Sequence, residues 1–302
     1  MWNKPMKIAL LSDSNWINKI EDNKLLLQAF AQMGINSEEI SYDTEDCSGY
    51  DAVIIRSTWG YQNYVDDYLG YLAKISSQTL LLNPYETVKA NIDKEFQYKL
   101  FLRNGIEHVQ TVVLNSINID EAEKIITDKF GYSMIVLKPN ISASGQDTIK
   151  IDFNKENQTF LKEYLKRIIL NDKKRVLVQR YISDIENGEF SFIYIGGRFS
   201  HAVKRFPGIT YEGSNTMWVD RVPDVAMKYV DRFYDVLCPH GVLYARIDFI
   251  LSEGNPKILE VELNEPDLYF RKSEENLEAV LSSFVSNTIE AIKRKNIYKN
   301  GE

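Results

Sequence analysis

The sequence predicts an α/β domain with a parallel sheet, followed by a larger α+β region. Three observations carry this. Buried-looking apolar runs alternate with stretches of helical apolar spacing from residue 1 to about 88, the pattern of βαβ units. From residue 188 onward, strand-like runs follow one another instead. The chain has 302 residues, 44% of them hydrophobic and 26% charged, enough for about two domains with cores of their own.

Taken in order, "KIALLSD" (7–13) reads as a buried strand and "NKLLLQAFAQMGI" (23–35) as a helix stopped by Gly34. "YDAVIIRS" (50–57) is a strand, "YVDDYLGYLAKISS" (64–77) a helix and "TLLLNP" (79–84) a strand. "NIDKEFQYKLFLRNGI" (91–106) reads as one amphipathic helix, capped by Asn91 or Asp93 and ended at Gly105. "MIVLKP" (134–139) and "RVLVQRYI" (175–182) are strands around a helix at 157–170. Four strand-like runs follow, "EFSFIYIGG", "RFSHAVKRF", "GVLYARIDFIL" and "PKILEVELNE", before a last helix at 275–295.

A net charge of −7 gives no global basic footprint for nucleic acid. Two cysteines, Cys47 and Cys238, make neither a disulfide framework nor a CxxC metal site, which fits a reducing cytoplasm. The early apolar run "IALL" is too short for a signal peptide or a membrane span. No GxGxxG follows a strand, and there is no GxxxxGK[ST] phosphate loop.

The most informative stretch is "YARIDFILSEGNPKILEVELNEP" (244–266). "SEGNP" is a turn signal between two strand-like runs. A hairpin pivoting near Gly254 sets Asp248 opposite Glu260 and Arg246 opposite Glu262. The period of two puts Glu260, Glu262 and Asn264 on one face and Leu259, Val261 and Leu263 on the core face. Carboxylates directly opposed across strands repel. A compensating cation is expected, and Mg²⁺, which takes carboxylate oxygens and substrate phosphates, suits them. The plain alternative is a solvated acidic face with Arg246 in a salt bridge.

"VLKPNISASGQDT" (136–148) ends an apolar run in Lys138 and then opens a loop of small hydroxylated residues. Lysine is rarely buried without a partner, and a nucleotide phosphate would be one. Ser142, Ser144 and the backbone around Gly145 could fold over it. Lys94, on the preceding helix, is a second candidate; each lysine alone also reads as a surface side chain with a snorkelling stem.

These pieces come in a particular order: a helical lysine, "LKPNISASG", "VQRYISDIENGE", "HAVKRFP", then the acidic hairpin. The order resembles the ATP-grasp superfamily, in its glutathione synthetase-like branch and the cyclo-ligase type of D-cycloserine biosynthesis. "RSTWGY" and "NPYETVKANIDK" resemble that last group as well. The resemblance implies an ATP-grasp fold, with an N-terminal domain (1–88) before an ATP-grasp domain (89–302). Within the latter, about 130–182 would form the flap and about 183–302 the metal-bearing subdomain.

It further implies that ATP phosphates meet Lys94, Lys138 and the flap with Ser142, Ser144 and Gly145. Adenine would lie along Gln179, Arg180, Tyr181 and Ile182, and Glu189 would hold the ribose. Asp248, Glu260 and Glu262 would bind Mg²⁺, two ions, with Mn²⁺ as a substitute and Asn264 as an alternative third ligand. Arg205, or Lys204, would face the γ-phosphate. Relatives often carry an arginine where this chain reads "GITYEGSNTMWVD", so Arg246 or Arg221 is expected to supply that charge in place of Tyr211 and Glu212. His201 reads as structural.

The activity this implies is ATP-dependent carboxylate–amine ligation through an acyl phosphate, on a small amino-acid or peptide-like substrate. The alternatives are a non-catalytic ATP-binding module and a kinase with a hydroxyl acceptor. Arg56 and Trp59, after the strand at 50–57, are expected at the acceptor pocket, because open α/β sheets bind ligands at strand C-termini. Proteins of the resembled group are often dimers or tetramers, so a homo-oligomer is one option, but no stripe in this sequence fixes the oligomeric state; no nucleic acid or membrane partner is expected.

Overall fold

The computed structural model describes residues 5–42, 46–207 and 215–300. The N-terminal unit contains β1 (Lys7–Ser12), α1 (Glu21–Gln32), β2 (Asn36–Ser41), β3 (Ala52–Ile55), α2 (Val65–Gln78), β4 (Leu80–Leu82) and α3 (Tyr85–Asn91). Its strands run parallel in the order β2-β1-β3-β4. The expected alternation is there, with β2 added. "NSEEIS" is too polar to read as a strand, and it is one only because β1 pairs with it along an edge.

α4 (Lys94–Arg103), β5 (Thr111–Leu114), α5 (Ile119–Phe130), β6 (Met134–Pro139), β7 (Ile149–Asp152), α6 (Gln158–Leu165) and β8 (Val176–Arg180) come next. They give a four-stranded antiparallel sheet, β5-β8-β6-β7. The helix expected over 91–106 starts at Lys94, because Asp93 caps it by accepting a hydrogen bond from the Glu95 N–H. Asn91 ends α3 and does other work: its side chain bonds the Val261 carbonyl and the Leu263 N–H. The helix expected over 157–170 is α6 continued by a π-helical turn at Lys166–Asn171.

The last sheet holds β9 (Glu189–Ile195), β10 (Arg198–Arg205), β11 (Thr216–Trp218), β12 (Tyr244–Ser252) and β13 (Asn255–Glu262), in the order β11-β10-β9-β12-β13. α7 (Asp224–Leu237) packs on it through Ala226, Val230 and Leu237, a helical spacing overlooked beside the strand-rich runs. α8 (Leu277–Asn300) returns to the N-terminal unit, where Phe284 and Val285 join Leu10, Phe30 and Ile54 in one core. Asn83 stitches the units together, donating to the Tyr244 and Leu263 carbonyls and accepting from the Leu243 N–H. Cys47 and Cys238 are buried and not disulfide-linked. No helix among the described residues is long and apolar enough to cross a membrane.

Candidate active site

The acidic hairpin has the expected pairs, Asp248 opposite Glu260 and Arg246 opposite Glu262. They arise differently from the simple pivot at Gly254. The turn is the two-residue Glu253–Gly254, both left-handed (φ 53° and 78°), so Ser252 faces Asn255. That register alone would put Asp248 opposite Leu259. A one-residue bulge after Phe249–Ile258 leaves Leu259 unpaired and restores the acid pairs. It also reverses the faces. Ile258 and Val261 are both core, whereas Leu259, expected in the core, is only partly buried. Strict alternation from Ile258 would have driven Glu260 and Glu262 into the apolar core.

On the freed face the acids meet cations from separate elements. Arg246 bonds Asp248 through Nε (3.0 Å to Oδ1) and Nη2 (2.9 Å to Oδ2), and pairs with Glu262. Arg205 reaches Asp248 Oδ2 at 2.9 Å and pairs with Glu189, its neighbour across β9 and β10. Ser191 donates to Asp248 Oδ1 at 2.7 Å. Lys94 Nζ lies 2.7 Å from Glu260 Oε1 and donates to the Ser142 carbonyl at 2.7 Å. Lys138 Nζ donates to the Tyr98 hydroxyl (3.0 Å), which also accepts from Gln179 (2.6 Å) and donates to the Leu259 carbonyl (3.0 Å). The bulge residue thus anchors the network that holds Lys138.

Burial would raise the Asp248 and Glu260 carboxyls. Arg205 and Arg246 outweigh it at Asp248, and Lys94 with Lys138 at Glu260, so both sit below the usual range. The balance fails at their neighbours. Burial pushes Glu262 up to about 7 against the pull of Arg246, with Glu260 and Asp248 adding to the rise. Glu265, buried beside them, goes up to about 8 by burial and then by Glu262. Glu189 is raised by burial, which Arg205 only partly offsets. Burial is the leading cause at all three, so these carboxyls lack the compensation that Asp248 and Glu260 receive.

Other expected residues are placed as follows. Asn264 is not on a continued strand face, because β13 ends at Glu262; its Oδ1 accepts from the Tyr68 hydroxyl at 2.7 Å. Lys204 points away from the acids that Arg205 meets and lies over the Phe190 and Phe206 rings, as alternation along β10 requires. Ser142 is buried, with Ser144 and Gly145 exposed at left-handed φ of 53° and 69°. The flap loop rests on the N-terminal unit: Ala143 and Ile141 pack into its core, and Gln62 donates to Gln146 at 2.7 Å.

Gln179 is buried, Arg180 is exposed, Tyr181 stacks under Lys150 Nζ (3.6 Å from its ring) and Ile182 is half-buried. Arg56 is buried, and Trp59 donates its indole N–H to the Glu265 carbonyl at 3.1 Å. Arg221 is exposed, and Tyr211 and Glu212 lie outside the described residues. His201 is buried, donating through Nε2 to the Leu268 carbonyl, and burial pushes its pKa down to about 4. Tyr98, Ser191 and Glu265 were not anticipated. Tyr98 could have been, since it lies one helical turn from Lys94 on the same face.

Among the described residues no three His, Cys, Asp or Glu side chains are gathered as a ready-made metal cage. The acids turn to arginine and lysine instead.

Comparison with known proteins is consistent across the chain. Residues 8–83 match the model of the D-cycloserine synthetase DcsG N-terminal domain. Residues 102–266, more than half of the chain, match the prokaryotic glutathione synthetase ATP-grasp domain. The cycloserine biosynthesis protein DcsG of Streptomyces lavendulae is 22% identical over 285 residues, covering 89% of this chain and 94% of that protein. The crystal structure of D-cycloserine synthetase DcsG superposes with a TM-score of 0.82 at 21% identity, over 95% of this chain and 99% of that one. D-alanine–D-alanine ligase from Bacillus anthracis complexed with ATP gives 0.66 at 15% identity, over 97% and 99%. The fold is thus ATP-grasp, and the chain belongs to the prokaryotic glutathione synthetase ATP-grasp family.

Proposed function

We propose that this protein is an ATP-dependent carboxylate–amine ligase acting on a small amino-acid or peptide-like substrate. One observation carries the reading most: buried Asp248 and half-buried Glu260 and Glu262 cluster on one sheet face with Lys94 paired to Glu260, and Glu260 feels both Lys94 and Lys138. The fold family and the names of its relatives, a D-cycloserine synthetase and a D-alanine–D-alanine ligase, agree with it.

The donor set fits Mg²⁺ in chemistry. It consists of hard carboxylate oxygens, and Glu262 and Glu265, raised chiefly by burial, are carboxyls whose charged form a divalent ion would favour. Asp248, Glu260 and Glu262 are the residues that would hold it; Asn264 is committed to Tyr68. When bound, Mg²⁺ supplies positive charge against the phosphate oxygens.

Lys94, Lys138 and Arg205 would hold the triphosphate and stabilise the charge that spreads over the transferring phosphoryl group. Residues 179–182 would line adenine, with Glu189 at the ribose once it is released from Arg205. A substrate carboxylate would attack the γ-phosphate, and a nitrogen nucleophile would displace phosphate from the resulting acyl phosphate. The flap, held on the N-terminal unit by Gln62 and Gln146, would keep water from that intermediate. On this reading residues 1–88 serve the acceptor, 130–182 form the lid and 183–302 carry the metal ligands.

A phosphate-release screen with Mg·ATP over single and paired amino acids and small peptides, with mass spectrometry of products, tests the activity. At least one combination should release phosphate and form an amide-type bond. Lys138→Ala should lower turnover by about 10³-fold. Unchanged turnover in that variant would remove Lys138 from the site.

A further inference from the structure

We propose that Arg56 seats a free carboxylate of the substrate, and that this substrate is an α-amino acid or a short peptide ending in one. The inference rests on the ligase reading, since it takes the second ligand of the cleft to be an organic acid.

Arg56 and Arg246 are buried, and Arg205 and Arg271 are half-buried. Arg246 has two carboxylate partners, Asp248 and Glu262. Arg205 also has two, Glu189 and Asp248. Arg271 has Asp22, on the N-terminal unit, and Asp267. Arg56 is 3% exposed and, among the described residues, has no carboxylate within salt-bridge reach. Among the described residues its guanidinium makes one hydrogen bond, a long one from Nη1 to the Pro266 carbonyl at 3.4 Å. Its Nε is buried without a partner. The Tyr244 and Phe270 rings lie 5.6 and 5.9 Å from its Cζ. Asp22 is near enough to feel its charge but is already held by the Phe270 and Arg271 N–H groups and the Arg271 guanidinium.

A buried guanidinium is ordinarily paired, because desolvation without compensation is costly. The edge left over on Arg56, Nε with Nη2, is a side of the fork that takes a carboxylate through two parallel hydrogen bonds. Its position agrees. The Arg56 N–H still pairs with the Leu11 carbonyl, so the residue sits at the carboxyl end of the parallel sheet, where such folds bind ligands. A second unsatisfied atom stands at the same sheet end. Asn23 donates to the Ser57 hydroxyl at 2.8 Å, while its own Oδ1 is buried without a donor. A carboxylate for Arg56 and an N–H donor for Asn23 are the two polar groups of an α-amino acid.

The test is calorimetric, on the full chain with and without Mg·ADP. The probes are free α-amino acids of both hands and short dipeptides, each beside its C-terminal amide. At least one acid should bind, with its amide about 100-fold weaker, the loss expected for a charge-assisted pair of bonds. The best acid being a free amino acid or a dipeptide identifies the source of the carboxylate. Arg56→Gln and Arg56→Lys should both lose the acid-over-amide preference while Mg·ADP affinity stays unchanged. Should Arg56→Gln not fold, Arg56→Lys and the wild-type acid-to-amide ratio carry the test. An amide that binds as well as its acid, an Arg56→Lys variant with the wild-type preference, or no acid binding at all overturns the proposal. Failure of Mg·ADP to bind counts against the ligase reading instead, and leaves the preference measurable.

Discussion

Two ion clusters, each built around a buried aspartate, are compensated in different ways: one joins Asp22 of the N-terminal unit to the 267–271 segment, and the other gathers Lys94 and the strand residues around Asp248. At Asp22, Arg271 and Asp267, fixed donors do much of the work: Asp22 accepts from two backbone N–H groups, and Asp267 from the Tyr269 N–H. Around Asp248, Glu260 and Glu262, nearly all compensation comes from side chains on separate elements, Arg205 on β10, Arg246 on β12 and Lys94 on α4. Backbone donors cannot leave. Side-chain cations can turn to phosphate oxygens, which lets the second cluster exchange internal partners for a ligand. A cluster closed by backbone is an attachment point; one closed by side chains, with Glu262 left near 7, is suited to binding.

The largest effect is expected from Asp248→Asn. It keeps shape but removes the charge shared by Arg205, Arg246 and Ser191. Turnover in the ligation assay should fall by about 10³-fold. A fall under tenfold would mean that the cluster is structural like the other.

Asp22→Asn addresses the opposite cluster. It removes one of the two anions on half-buried Arg271, which keeps Asp267, and leaves a backbone N–H without its acceptor; it should cost about 2 kcal/mol in urea unfolding, with Mg·ADP affinity unchanged. A loss under about 1 kcal/mol would show that the cluster does not hold α1 to the 267–271 segment.

His201 sits between the two, on β10 with Arg205 and bonded to the Leu268 carbonyl. Its folded pKa of about 4 lies below the unfolded value of about 6.5. The unfolded chain therefore takes up the proton first, and this stability is present above pH 6.5 and lost as pH falls toward 4. Between pH 7 and pH 5 the loss should be about 2 kcal/mol. Urea midpoints of wild type and His201→Gln at both pH values isolate it; equal slopes would contradict a neutral buried imidazole.

The smallest effect expected is that of Tyr98→Phe. The variant keeps the ring under Lys138 and removes the hydroxyl that joins Lys138, Gln179 and the Leu259 carbonyl. Stability should drop by about 1 kcal/mol, and KM for ATP should rise several-fold with kcat nearly kept. An unchanged KM would separate this network from nucleotide binding.

Much of the site was legible because its residues obey local rules. Lys94 follows a capping Asp93, Lys138 ends a strand, and the hairpin acids follow a period of two from a turn signal. The paired acids were placed correctly by two compensating errors, a pivot set half a residue late and a bulge left out. Their cations were harder to assign. Lys204 and Arg205 are adjacent on one strand, and only the packed sheet decides which of them faces the acids.

By itself the sequence determined the βα alternation of the first unit, the strand-rich second half, and the identity of the acids and lysines. Each of these rests on spacing along a single element. The packing of distant segments sets the bulge at Leu259, the clasp of Asn83 and Asn91 on the hairpin, the turn of Asn264 to Tyr68, and the burial of Arg56 without an anion among the described residues. These outcomes depend on which distant groups meet once the units pack. Burial makes an unpaired donor or charge costly, and no local period records where burial will fall.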